Sequence, residues 1–402
     1  MTIIFFTIYP FNEDYAIKYG FDILRKRGFN VVVLNVFEYL FDHPLMGYAR
    51  QYGELKSVMG VEQIGVRSEN DLQKCLDNIQ GWKIGFLVFS LDEKVLKLIS
   101  KAKIDYITID AGFHPVYSWD EQFSARFSRF LKRFFRNPVE TVNNKVFKKI
   151  KMRLAISCPY LFGFRHPKYH FAGTEVYPHQ ISLSETKIIR AHSFDYDRFL
   201  KNRERPKPAA IPDHEYYVFI ASAPWGGHDY ILFDVPAAIT KTEYAITINR
   251  FLDFIEAKTG RKIIIAAHPK FTSEENIYND RPFLYDTEQL IKYSSGVICH
   301  YSGATKFAVI HEKPLCFISL WKMKDDWLFQ GMIRAYADEI KAPIYYIDKT
   351  DSLSDMTRNS FFYYDSNAYK KFTRKYINPG NCVDRFLWDI VADTLSKDYA
   401  LD

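Results

Sequence analysis

The chain is 402 residues long, 48% hydrophobic and 25% charged, with a formal net charge of +6. That length favours two domains, the composition is that of an ordinary globular protein, and no run of about 20 apolar residues is available to span a bilayer. Five cysteines without a CxxC pair argue against a disulfide framework and a thiolate zinc site, and fit a reducing cytosol.

The opening "MTIIFFTIYPFNEDY" has no basic n-region, and its apolar run is short, so it reads as a first core strand rather than a leader. "NEDYAIKYGFDILRKRG" follows as one helix stopped at Gly28, and "NVVVLNV" as the next strand. Strand, helix, strand is a βαβ unit and predicts a parallel sheet. "IGFLVFS" (84–90), the helix "EKVLKLISKA" and "IDYITID" (104–110) continue the rhythm. The proline-rich, charged stretch 200–216 reads as a linker. After it the pattern restarts. "YYVFIASA", "KIIIAAH", "GVICHYS" and "PLCFISL" are strands. "KTEYAITINRFLDFIEAKTG", "GATKFAVIHEK" and "VDRFLWDIVADTLS" are helices. The expectation is an α/β protein of two Rossmann-like, doubly wound parallel-sheet domains facing a cleft. Residues 1–205 form the first, 206–380 the second, and 381–402 a terminal helix packing back on the first.

Open parallel sheets bind ligands beyond the carboxyl ends of their strands, and three polar clusters fall at such ends. In "CHYSGATKFAVIHEKP" (299–314) a strand ends at His300, Ser302 and Gly303 make a turn, and Ala304-Thr305 open a helix. Backbone N–H groups, a helix dipole and two hydroxyls there suit a phosphate, and Gly303 permits close approach. A helix cap without a ligand would use the same residues. In "RKIIIAAHPKF" Pro269 ends a core strand between His268 and Lys270. That rigid cationic tip suits an anionic leaving group, which His268 could hold or protonate; an ordinary surface loop would also fit. "ITIDAGFHP" places Asp110 before Gly112, either a turn residue or a general base, with Glu175 in "AGTEVYP" as a second carboxylate. Gly226 and Gly227 in "APWGGHDY" could admit a donor or acceptor beside His228 and Asp229, but they form no GxGxxG fingerprint. Around "HSFDYDRFL", His192, Asp195 and Asp197 make a metal conceivable; an acidic first helical turn accounts for the aspartates better.

"AAHPK" followed by "HYSGAT…AVIHEKPL" resembles the nucleotide-binding half of bacterial GT-B glycosyltransferases, above all the sialyltransferases, polysialyltransferases and Kdo transferases that use CMP-activated acidic sugars. The likeness spans roughly residues 215–320. It implies that His268, with Pro269 and Lys270, holds the donor phosphate, joined by His300, Ser302, Gly303, Ala304 and Thr305. It further implies that Asp110, in place of an acidic-acidic-Gly motif, deprotonates the acceptor, and that no metal or other cofactor is required. This sequence has Ser-Gly-Ala-Thr where the family has adjacent hydroxyl residues, and it lacks one acid before Gly112. The implied partners are a nucleotide-sugar donor and a glycan or glycolipid acceptor of the bacterial surface. UDP-sugar transfer, sugar 2-epimerisation, polyol-phosphate transfer and a non-catalytic glycan-binding relative remain alternatives on the same scaffold.

Residues 126–153 hold ten Lys or Arg against the single acid Glu140, so the rest of the chain is net acidic. Phe123, Phe127, Phe130 and Phe134 share one face of a predicted helix there. A basic amphipathic segment over 121–153 reads as peripheral contact with the inner face of the plasma membrane by a cytoplasmic protein, or as a core-facing helix with a solvated basic side. With no nucleic-acid module beside it, nucleic acid is the poorer reading.

Overall fold

In the computed structural model the described residues are 1–41, 55–88, 93–112, 114–115, 163–175, 185–226, 237–267, 276–349, 362–380, 382 and 384–399. The chain divides into two compact units. Met1–Gly112, Arg133–Asp197 and Asn378–Asp402 make the first, and Phe113–Lys132 with Arg198–Ile377 make the second.

The first unit carries β1 (Thr2–Thr7), β2 (Asn30–Asn35), β3 (Gln63–Gly65), β4 (Lys83–Leu87), β5 (Asp105–Asp110), β6 (Tyr169–Ala172) and β7 (Lys187–Arg190). They form one sheet in the order β3-β2-β1-β4-β5-β6-β7, parallel throughout. The second unit carries β8 (Tyr216–Ile220), β9 (Lys262–Ala266), β10 (Phe283–Leu284), β11 (Gly296–Cys299), β12 (Leu315–Ser319) and β13 (Ile344–Tyr346), ordered β10-β9-β8-β11-β12-β13 and again parallel. Both are doubly wound, as the strand–helix rhythm predicts. The winding reverses between β1 and β4 in one sheet and between β8 and β11 in the other. The central strands β1 and β8 are buried along their whole length, which is why they read as unbroken apolar runs.

The expected single helix over 12–28 is instead two, Glu13–Lys18 and Phe21–Lys26. Gly20 separates them with a left-handed φ of 64°. The cause is Trp388, in the terminal helix Leu387–Asp398. A Cβ on Gly20 would lie 2.2 Å from Trp388 Cγ. The indole Nε1–H donates to Lys18 O at 3.1 Å, capping the first helix from outside. The Trp388 ring packs 5.5 Å from Phe5 and 5.7 Å from Phe86, inside a core that also holds Phe11, Tyr19 and Phe21. Burying an aromatic of this size stabilises by about 3 kcal/mol, so the terminal helix is part of the first unit's core.

Other boundaries follow local chemistry. The helix Lys241–Thr259 opens on a Thr240/Glu243 capping box and closes on Gly260 at φ 70°. The expected linker begins inside the helix Phe194–Asn202. Beyond that helix, Lys207 Nζ pins the chain to Pro212 O at 2.6 Å and to Asp213 at 2.7 Å.

Candidate functional site

Parallel strands place all their carboxyl ends on one edge. In the second unit the reversal point brings two connections side by side: the one after β8, Ala221 to Gly226, and the one after β11, His300 to Thr305. The third expected contributor lies outside the described residues: His268, Pro269 and Lys270, which follow β9. So do Gly227, His228, Asp229 and the basic segment 121–153. Gly226 is exposed with a φ of 144°, and Trp225 packs 5.2 Å from Tyr244 beneath the same connection.

His300 lies in the core, not at an open strand tip. It is 0% exposed. Nδ1 is 2.8 Å from Ile318 O, and Nε2 is 2.9 Å from the Tyr244 hydroxyl. A carbonyl can only accept, so Nδ1 carries the proton and Nε2 accepts from the phenol. Desolvation pushes its pKa down to about 4. A neutral ring with both nitrogens engaged positions the turn that follows it and offers a ligand no donor. Thr305 is also fully buried, its Oγ1 3.7 Å from Cys299 Sγ.

The residues between these two are the accessible ones. Ser302, Gly303 and Ala304 are half-buried. Ser302 Oγ accepts from Ala304 N at 3.2 Å, which leaves its own proton to donate. The N–H groups of Thr305, Lys306 and Phe307 turn back to Ser302 O, Gly303 O and Ala304 O, so the donors expected from the helix start are already used. The N–H groups of Ser302 and Gly303 have no acceptor among the described residues. Beside them, Lys306 is buried completely, an unusual place for a lysine. His114, which the sequence reading passed over, also reaches this turn: a Cβ on Gly303 would stand 3.1 Å from its Cε1.

In the first unit, Asp110 ends β5 and is 3% exposed. Its Oδ2 accepts from the Thr174 hydroxyl at 2.5 Å. Gly173 makes that meeting possible. Its N–H donates to Asp110 O at 2.7 Å, and a Cβ there would lie 2.5 Å from Asp110 O and 2.6 Å from His192 O. In "AGTE" the residues that serve Asp110 are therefore Gly173 and Thr174, while Glu175 is exposed. His192 is buried. Its Nε2 is 2.7 Å from Arg385 O and 3.5 Å from Asp197, and Asp197 accepts the Leu387 N–H at 2.8 Å. Burial pushes the Asp197 carboxyl up to about 6, against the attraction of His192. Asp197 thus anchors the start of the terminal helix. Among the described residues no His, Cys, Asp and Glu group is arranged to hold a metal.

The chain matches no family model and no curated protein. Solved structures do resemble it. One is the wall teichoic acid polymerase TagF, as an H444N variant soaked with CDPG, at 12% identity and a TM-score of 0.54, covering 99% of this chain and 88% of that one. Another is CalG4, the calicheamicin glycosyltransferase, at 9% identity and a TM-score of 0.53, covering 98% and 97%. At these identities the likeness is one of architecture: the two parallel-sheet units are those of the GT-B fold.

Proposed function

We propose that the chain is a glycosyltransferase that moves a sugar from a nucleotide donor to a glycan or glycolipid acceptor of the bacterial surface. The donor we favour is a CMP-linked nonulosonic acid or Kdo. The observation that carries the reading is the Ser302–Gly303 turn. It stands at the reversal point of the second sheet, two backbone N–H groups have no acceptor among the described residues and a hydroxyl proton is there to donate, and it is held from behind by a neutral core histidine. The His-Pro-Lys sequence at 268–270 and the GT-B architecture support the same donor class.

In the step we infer, Asp110, oriented by Thr174, takes the proton of an acceptor hydroxyl. That oxygen forms a bond to the anomeric carbon as the bond from that carbon to the phosphate oxygen breaks. The electron pair leaves with the nucleotide monophosphate, and the configuration inverts. Ser302, the N–H groups at 302 and 303 and His268 stabilise the departing charge. Pro269, Lys270, Gly226 and Gly227 complete the donor pocket, and no metal takes part in the step. The basic segment 121–153 gives the protein its contact with the cytoplasmic face of the membrane. No helix among the described residues is long and apolar enough to cross one.

Mass-spectrometric transfer and donor-hydrolysis assays with CMP-, UDP- and CDP-linked donors test the assignment. Turnover of a CMP-sugar that falls about a hundredfold or more in Asp110→Asn supports it, and no turnover of any nucleotide sugar refutes it. A second reading, polyol-phosphate transfer from a CDP-linked donor, is favoured by the likeness to TagF soaked with CDPG. Turnover of the CDP donor alone would select it.

A further inference from the structure

We propose that His192 is a positioning residue for Asp110: a buried, doubly protonated imidazolium that fixes the connection after β7 against the backbone around the carboxylate. This deepens the reading of Asp110 as the base and rests on it. The protonation follows from the partners of the ring. His192 is 0% exposed. Its Nδ1 lies 3.1 Å from Ser193 O and its Nε2 2.7 Å from Arg385 O. A carbonyl oxygen only accepts, so both nitrogens carry protons and the ring is a cation. Asp197, 3.5 Å from Nε2, balances the charge. Burial pushes that carboxyl up to about 6, against the attraction of His192, so it is ionised at neutral pH. Asp197 is fixed in turn by the Leu387 N–H at 2.8 Å, and it faces Asp389 of the terminal helix, whose charge Arg27 meets at 3.2 Å. The start of a helix disfavours a cation. Two carbonyls and a carboxylate around one ring outweigh that, where a neutral ring would press a nitrogen lone pair against a buried carbonyl oxygen.

Backbone contacts lead from this ring to Asp110. Ser193 precedes the helix Phe194–Asn202, and the Phe194 N–H donates to Ala111 O at 3.0 Å, one residue past the carboxylate. His192 O stands 2.6 Å from where a Cβ on Gly173 would lie, and the Gly173 N–H holds Asp110 O at 2.7 Å. The Ala191 N–H donates to Ala172 O at 2.9 Å. Residues 191–194 therefore touch Ala111, just after the carboxylate, and the Ala172–Gly173 stretch that delivers Thr174 to it. The imidazolium anchors that short segment to Arg385, 193 positions along the chain.

The test uses the full-length protein as wild type, His192→Gln, Asp197→Asn, Asp110→Asn and the double variant Asp110→Asn with His192→Gln. Nitrogen-15 NMR of histidine-labelled protein at pH 7 reads the ring without any substrate. Two ring N–H signals that vanish in His192→Gln and persist in Asp110→Asn are expected; a single one overturns the proposal. Glutamine keeps a donor for Arg385 O and removes the charge. With the CMP-linked donor of the assays above, His192→Gln and Asp197→Asn should each lower kcat about tenfold, while the affinity for CMP, by calorimetry, stays at the wild-type value. The double variant should be no slower than Asp110→Asn alone, because His192 acts through that carboxylate. If His192→Gln slows both backgrounds by the same factor, the histidine is structural only and the positioning role is overturned. His192→Gln as fast as wild type, with Asp110→Asn slow, overturns this inference and spares the base. Asp110→Asn as fast as wild type, or a wild type that turns over no donor, overturns both. Should His192→Gln melt far below wild type, Asp197→Asn and the NMR signals decide: unchanged kcat in Asp197→Asn, or a single ring N–H in wild type, rejects the proposal.

Discussion

At the end of β5 in the first unit, the Asp110 carboxylate is walled in by Thr174, by Gly173 pressed between two carbonyls and by a buried histidine behind them. At the end of β11 in the second unit a buried histidine is again present, but the turn it supports is half open and has N–H donors with no acceptor among the described residues. Both places use a desolvated imidazole as scaffold. They differ in what is left over once internal hydrogen bonds are counted. A buried acid in a fixed hydrogen bond suits proton transfer in a constant geometry. An open set of N–H groups suits a charge that arrives and departs. In the function we propose, the first edge would supply the chemistry and the second the ligand capture.

That division can be strained by substitution, beginning where the response should be largest. Trp388→Ala removes the residue that keys the terminal helix into Gly20 and should cost the first unit about 3–5 kcal/mol, leaving the second unchanged. Hydrogen exchange resolved between β1 and β8 amides would show this, and equal loss in both would break the independence of the units. Acid should act on both. Burial holds His170 and His300 at about 4. Their contribution is complete above the unfolded value near 6.5 and is lost as pH falls from there towards 4, by about 3 kcal/mol for each histidine. Replacing His300 with Gln should flatten that pH dependence in the second unit's exchange alone. Two glycine substitutions separate the edges more finely. Gly173→Ala drives a Cβ into backbone and should cost about 2 kcal/mol together with turnover. Gly303→Ala meets only a ring edge and should weaken donor binding with little loss of stability, as parallel melting and binding curves would reveal. Thr174→Val should cost only about 1 kcal/mol and should lower turnover without changing donor affinity.

Much of the frame was legible from residues. β1, β2, β8, β9, β11 and β12 are apolar runs closed by punctuation, and Gly28 and Gly260 mark stops through their left-handed backbone. Short strands such as Tyr169–Ala172 and, at the sheet edge, Lys187–Arg190 carry too few residues for a pattern and are fixed by pairing with their neighbours. The break at Gly20 could not be read locally, because its cause sits at position 388. Within the site, Ser302 and Gly303 were legible as a turn after a strand. His300 was misjudged for contact because adjacency to the turn in sequence does not reveal which way a ring points, and β11 turns it inward. Thr174 and His114 were missed for the same kind of reason: each matters only through a residue far along the chain.

The indole at 388 bonds to a carbonyl 370 positions earlier. During synthesis the earliest strands must therefore wait, with Phe5 and Phe86 uncovered, until the chain has been made and released past Trp388. The middle of the chain has no such debt and can settle first. Nascent chains stopped before Leu387 should consequently hold a finished second unit beside an unfinished first one, and should recruit chaperones to its aromatic face.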